Sequence, residues 1–449
     1  MPAPVAAHAS AEPRSPSGLL RILGFWDGLA VAVGVIIGSG ILRTPGIVAG
    51  SLGEPAAIFG VWILAGLLSL ASALALGELV ALLPRVGGKY VYTREAFGPV
   101  AGFVTGWSEL LTRGMAAAAK TVVIAEYLVR LAGGGSIRLL ASIVALGFAL
   151  LHWFGLRPVR ALQNVATLAK VAILLGVTAL AFTLGSGFDW KAPAATPVTA
   201  LGWLGAFALA FQLVTFTYYG YDESLKIAEE IRDPQRNLPR VLAIGILIVA
   251  GIYLALNAGF LYVLSPAEMA GSPLVAADVA GRLVGSAGDI LVTVAALLVL
   301  VSSLNVNFLS LPRVGLAMAQ DGLAPGRMAR VSPEGAPRFA LLIATAIVLA
   351  VAPLGSFESL ILVVMWIVLA VDGFVIFGLF RLRRIHPEWP RPFRVPLYPL
   401  LPALVLVVYA ALLAGVTVSY PALSALAAGL LGTLALVGWL RVRAATAAA

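Results

Sequence analysis

Gly34-Val-Ile-Ile-Gly38-Ser39-Gly40-Ile41-Leu42 lies in the middle of an apolar stretch that runs from Trp26 to Val48. The stretch has the length of a membrane-spanning helix, about 20 residues. Yet three small residues in succession give it poor helix propensity and close access to its backbone. A second stretch, Trp203–Ile227, carries Phe216-Thr217-Tyr218-Tyr219-Gly220-Tyr221-Asp222-Glu223-Ser224, where β-branched, aromatic and glycine residues run into two carboxylates. In hydrocarbon an unsatisfied backbone group costs several kcal/mol, so such breaks persist only around a cavity. Membrane helices also carry glycine simply for close packing. Two breaks at matching places in two halves of a chain point instead to an inverted-repeat transporter with a site at the midplane.

The rest of the chain supplies the context. Of its 449 residues 61% are hydrophobic and 11% charged, and its mean hydropathy is +1.00. An ordinary soluble protein carries about 25% charged residues, so a soluble enzyme, a nucleic-acid binder and a disordered chain are excluded. Cysteine is absent and there are three histidines, which excludes disulfides, a cysteine nucleophile and a histidine-rich metal site. Twelve stretches meet or approach the spanning length: Trp26–Val48, Ala56–Leu83, Pro99–Val129, Leu139–Leu156, Leu162–Gly185, Trp203–Ile227, Val241–Leu264, Gly288–Leu311, Phe339–Gly355, Ser359–Phe380, Leu400–Thr417 and Pro421–Leu440. The breaks fall in the first and the sixth. Residues 1–22 are polar, lack a short apolar core with a cleavage site, and read as a cytoplasmic tail and not as a signal peptide.

Charge fixes the orientation expected of these helices. With the N-terminus in the cytoplasm, the outer flanks hold Arg43, Arg130, Arg138, Lys191 and Arg282, while Arg113, Lys120 and Lys170 fall inside spans. Every other residue among the 30 Lys and Arg lies on the cytoplasmic flanks, as the positive-inside rule requires. The net charge of +9 is therefore topology and not nucleic-acid binding. Twelve helices with both termini cytoplasmic are predicted.

Further landmarks follow the breaks. They are Leu83-Pro84-Arg85-Val86-Gly87-Gly88-Lys89-Tyr90-Val91-Tyr92 with Glu95-Ala96-Phe97-Gly98, and Ala228-Glu229-Glu230-Ile231-Arg232-Asp233-Pro234-Gln235-Arg236-Asn237-Leu238-Pro239-Arg240. Arg313 with Ala319-Gln320-Asp321-Gly322-Leu323-Ala324-Pro325, and Arg391-Pro392-Phe393, come later. With these the sequence resembles the amino acid–polyamine–organocation superfamily, over nearly the whole chain from about Gly24. Trp107-Ser108-Glu109-Leu110-Leu111 and Gln163-Asn164 with Thr167 and Lys170 are similar to its L-amino acid transporter branch and that branch's bacterial relatives. The resemblance implies an all-α integral membrane fold of five helices and an inverted five. Residues 23–385 would form that core, 386–441 two peripheral helices, and 442–449 a cytoplasmic tail. It also implies carriage of amino acids or related amines by alternating access. Lack of cysteine and a short N-terminus point to a bacterial inner membrane.

An α-amino acid presents a carboxylate and an ammonium. Free N–H groups at a half-helix N-terminus suit the carboxylate, and Ser39, Gly40 and Ile41, after Gly38, would supply them. Carbonyls freed by the breaks, at Ile36, Ile37, Phe216, Thr217 and Tyr219 beside Gly220, would take the ammonium. This matches the family's division of labour, and Phe216 occupies the family position where an aromatic covers the substrate. Side-chain choice is expected from the third helix around Ala116 and the eighth around Asn305; the alanines at 116 to 119 favour neutral side chains.

The charged residues inside the spans leave alternatives open. Lys170 lies ten residues beyond Arg160, about 15 Å at 1.5 Å per residue, too deep to snorkel comfortably. Either it exchanges a proton in each cycle, or it stays charged, bonds carbonyls of the broken first helix and replaces a sodium ion; sodium independence is predicted. Glu109 and Arg113 stand four apart and can pair with each other. Lys120 departs from the family pattern: it neutralises Asp222 or Glu78, or it faces the substrate and admits an acidic side chain. Asp222 and Glu223 cap the second break, or Asp222 binds a cationic amino acid or polyamine, the alternative function. Glu229 and Glu230 with Arg232 and Arg236 form a cytoplasmic network, and Asp372 lacks an identifiable partner.

No nucleophile–base pair or metal cluster lies in the spans, so an enzyme is not expected, and a channel would want rings of carbonyls or like charges. The expected function is a secondary active transporter of neutral L-amino acids, sodium-independent, as proton symporter or exchanger. It would need amino acid substrate, protons in the symport case and a lipid bilayer, with no cofactor, metal or obligatory protein partner.

Overall fold

Apolar stretches of spanning length with few breakers fold as helices, and helices occupy every stretch marked above. The computed structural model describes residues 14–38, 40–188, 202–272, 274–285, 287–353 and 357–448; Ser39, Lys191 and the first 13 residues of the expected tail lie outside them. The order is α1 (Phe25–Ile36), α2 (Gly40–Leu52), α3 (Pro55–Leu82), α4 (Lys89–Phe97), α5 (Pro99–Ala132), α6 (Ile137–Trp153), α7 (Leu156–Leu184) and α8 (Gly202–Thr217). A 3-10 segment, Tyr221–Glu230, leads into α9 (Pro234–Val263), short α10 (Pro266–Ala270) and α11 (Val275–Val284), and α12 (Ala287–Gln320). Then come α13 (Arg338–Val351), α14 (Phe357–Ile385), α15 (Leu400–Ser419) and α16 (Pro421–Ala448). Proline opens α3, α9 and α10, where its missing N–H has no intrahelical partner to lose.

Among the described residues, seven helices are long and apolar enough to cross a membrane. Burial ranks them. The apolar window of α12 is 78% buried and that of α3 56%, against 28% for α15 and 17% for α16. The last two therefore lie at the periphery, and their outward Leu404, Val407, Leu436 and Trp439 suit a lipid neighbour better than water.

The first expected span is two half-helices, α1 ending at Ile36 and α2 starting at Gly40; the sixth is α8 and the 3-10 segment, parted at Tyr218–Gly220. Gly220 turns the chain with φ +119°, a conformation that glycine adopts without strain. The two breaks touch. A Cβ on Gly40 would lie 3.0 Å from the Thr217 side chain, and the Thr44 and Thr217 hydroxyls are 3.0 Å apart. Behind them Trp62, Tyr218 and Tyr253 pack edge-on and tilted, with ring centroids 5.1 to 6.0 Å apart. The Tyr253 hydroxyl donates to Ile36 O at 3.0 Å or Thr217 O at 3.2 Å. One phenol O–H thus lies within reach of a freed carbonyl from each break, a partner that hydrocarbon could not offer.

The described part of the N-terminal segment is not a solvated tail. Leu19 and Leu23 are buried, Leu23 bridges Ile231, and Ser17 donates from both N and Oγ to Glu229. Its apolar run Leu19-Leu20-Arg21-Ile22-Leu23 explains the packing.

Candidate functional site

The two breaks border a cavity of about 110 Å3. Of the residues expected to hold substrate, Ile36, Gly38, Gly40, Phe216, Thr217, Tyr219 and Gly220 line it, as do Ala116 and Lys120. Ile37 and Ile41 do not line it and are fully buried, and Ser39 lies outside the described residues. Sequence reasoning missed Val364 and Val368, which line the cavity from α14; their spacing of four marks a face but not what the face meets.

Lys170 reaches the first break from α7. Its Nζ donates to Gly34 O at 2.5 Å and to Ile37 O at 2.9 Å. The Ile37 carbonyl, expected to face the substrate ammonium, therefore faces Lys170. Beside it Gln163 and Thr167 of α7 donate to Ala30 O, and both lie within 3.3 Å of Ser302 Oγ on α12. The Lys170 amine fills the place where backbone carbonyls of α1 converge.

Asn305 is turned away from the cavity. Its Oδ1 faces His152 Nε2 at 3.1 Å, and its Nδ2 donates to Gln163 Oε1 at 3.0 Å and to Val159 O at 3.2 Å. It ties α12 to α6 and α7. The hydrogen bonds that satisfy this buried amide leave it nothing to offer a substrate.

Beneath Tyr219 lies a buried charge cluster. Arg113 Nη2 meets Asp222 Oδ2 at 2.7 Å and its Nε meets Glu223 Oε1 at 2.8 Å. Lys89 Nζ lies 2.5 Å from Asp372, 2.8 Å from Asp222 and 3.6 Å from Glu109. Lys226 joins Glu109 at 2.6 Å and Glu223 at 2.9 Å, and Ser310 donates to Glu223. Burial works against the charge of Lys89, on α4 between the long helices, but Asp222, Asp372 and Glu109 hold its pKa well above the ordinary lysine value. The cluster touches the cavity floor. Lys89 Nζ donates to the Tyr219 hydroxyl at 3.0 Å, and Arg113 lies 5.5 Å from the Tyr219 ring centroid.

These contacts correct several sequence expectations. Arg113 stands 4.0 Å from Glu109 and pairs more closely with Asp222 and Glu223, because helical spacing reports neighbours on one helix and not across helices. Asp222 and Glu223 do not cap the turn, which carries no side-chain cap. Lys120 neutralises neither Asp222 nor Glu78. Glu78 is held by Arg383 at 2.5 Å, by Arg391 and by the Val395 N–H, whereas Lys120 donates to Asn307 Oδ1 at 3.2 Å. Glu230 pairs with Arg313 through both carboxylate oxygens, at 2.7 and 2.8 Å. Glu229 accepts from Ser17 and the Val86 N–H, so Arg232 and Arg236 are not the partners. The missing partner of Asp372 is Lys89.

With this geometry in place, comparison with known proteins is specific. The sequence matches the amino acid permease family over residues 23–438. It is 28% identical to the serine/threonine exchanger SteT of Bacillus subtilis, over 86% of this chain and 89% of that protein. It is 27% identical to the mouse b(0,+)-type amino acid transporter 1, over 90% and 84%. With the human large neutral amino acids transporter small subunit 2 it shares 28% identity over 91% and 79%.

Proposed function

Because this chain belongs to the amino acid permease family, an amino acid transporter family of the membrane, we propose that it is a secondary carrier of non-cationic L-amino acids. It works by alternating access, without sodium, as an exchanger. Its architecture is twelve membrane helices, a five-plus-five inverted repeat over residues 23–385 and two peripheral helices, with both termini in the cytoplasm of a bacterial inner membrane. No second subunit is required.

The observation that carries this reading is the cavity bordered by both breaks, with Lys170 bound to Gly34 O and Ile37 O behind it. Free N–H groups at the start of α2 take the substrate carboxylate, since a helix N-terminus favours an anion. The Phe216, Thr217 and Tyr219 carbonyls take the ammonium, and Phe216 covers the bound substrate. Lys170 remains charged and holds the first break in shape, the office a sodium ion would otherwise fill. Proton symport through Lys170 is the runner-up for coupling. The cation-substrate alternative has less support: Asp222 is held by Arg113 and Lys89, and the cavity already contains Arg113 and Lys120.

The test is counterflow in proteoliposomes loaded with a mixture of amino acids, in sodium and in choline buffers. Saturable accumulation of a labelled amino acid, equal in both, is expected; uptake that collapses in choline would contradict the sodium-free mechanism. A rate that follows the pH gradient and needs no internal amino acid would favour symport over exchange.

A further inference from the structure

One wall of the cavity carries polar groups that the α-carboxylate and ammonium of a substrate do not use. On α5, Arg113, Ala116 and Lys120 recur at spacings of three and four, which places them on one face, and all three line the cavity. Arg113 is neutralised by Asp222 and Glu223. Among the described residues Lys120 forms no ion pair, and its Nζ has one neutral acceptor, Asn307 Oδ1. One turn before Asn307 on α12, Ser303 also lines the cavity. Ser303 is 1% exposed, and its Oγ has no hydrogen-bond partner among the described residues. A buried hydroxyl without a partner costs about 1–3 kcal/mol, and the half-buried Lys120 amine lacks a counter-charge. One ligand group that accepts from both would relieve both conditions, and a carboxylate is that group.

We propose that the cavity takes an L-amino acid with a carboxylate in its side chain, aspartate or glutamate, and that Lys120 Nζ and Ser303 Oγ bind that carboxylate. The proposal rests on the carrier reading and narrows its substrate class. The substrate's α-carboxylate and ammonium stay at the two breaks. Ala116 and Ala119 leave space beside Lys120, and Val364 and Val368 of α14 cover the methylene carbons. Lys120 would have another office if it only balanced the cluster of Glu109, Asp222, Glu223 and Asp372 against Lys89, Arg113 and Lys226. In that case its removal would not change substrate preference.

The experiment compares labelled L-glutamate with its isostere L-glutamine, and L-aspartate with L-serine, in counterflow by the wild-type protein, Lys120→Met and Ser303→Ala. The wild type is expected to prefer the acid of each pair. In Lys120→Met the glutamate-to-glutamine preference, read as the ratio of KM values, falls by at least about tenfold; Ser303→Ala moves it the same way by less. A wild type that exchanges glutamine or serine but not the acids leaves the carrier reading standing and overturns the assignment. So does a Lys120→Met protein that weakens acid and amide equally. Exchange of no amino acid at all overturns the carrier reading together with the assignment. If Lys120→Met fails to fold, the wild-type preference and the thermal stabilisation by glutamate over glutamine decide.

Discussion

In the proposed function, coupling rests on Lys170. It makes two hydrogen bonds to backbone carbonyls of the first break, and with Lys170 charged, as proposed, such bonds contribute about 1.5–3 kcal/mol each. Lys170→Ala is therefore expected to slow exchange by at least about tenfold while the protein still elutes as a folded species. Exchange at the wild-type rate would remove both the fixed-cation and the proton-cycle accounts. Gly220 makes a different prediction at the same scale. Its φ of +119° and the 3.2 Å approach of a Cβ to Val35 put Gly220→Ala at a cost of about 1–3 kcal/mol, read as a lowered unfolding midpoint in detergent. Lys170 was legible in the sequence because depth within a span can be counted from a flanking arginine. Tyr253 was not: its role depends on a hydroxyl reaching carbonyls 217 and 36 residues away, and periodicity carries no such information.

The helices α4, α5, α12 and α14 and the 3-10 segment meet in one buried charge cluster. Glu230 and Arg313 form a separate buried pair. Removing one member of a buried pair strands the other, so Arg313→Ala should destabilise the protein by about 3–5 kcal/mol, measured by thermal unfolding against the wild type. Lys89 has three carboxylate neighbours, so Asp372→Asn should cost less than Asp222→Asn, which also removes one of the two close carboxylates of Arg113. An equal loss from the two would contradict this division. Helix positions were readable from apolar length, and both breaks from runs of small and β-branched residues. Partners across helices were not. Helical spacing paired Arg113 with Glu109, whereas the fold brings in Asp222 from more than 100 residues away. Val364 and Val368 were passed over for the same reason, since an apolar residue in a spanning helix faces lipid or cavity with no difference in sequence.

For the whole molecule, the arginine distribution proposes an orientation, and the absence of cysteine makes it simple to test. Asp278 and Glu388 are both exposed and are assigned to opposite faces of the membrane. In intact cells Asp278→Cys should react with a membrane-impermeant maleimide and Glu388→Cys only after permeabilisation; the reverse would invert the topology. The proposed function makes the breaks, the cavity and the amine behind it one carrier site between two half-helices. The most direct test of that claim is counterflow of labelled amino acids in sodium-free proteoliposomes, wild type beside Lys170→Ala. Saturable exchange by the wild type and its loss in the variant are predicted. Silence across acidic, neutral and cationic amino acids, in protein shown to be folded, would contradict the account.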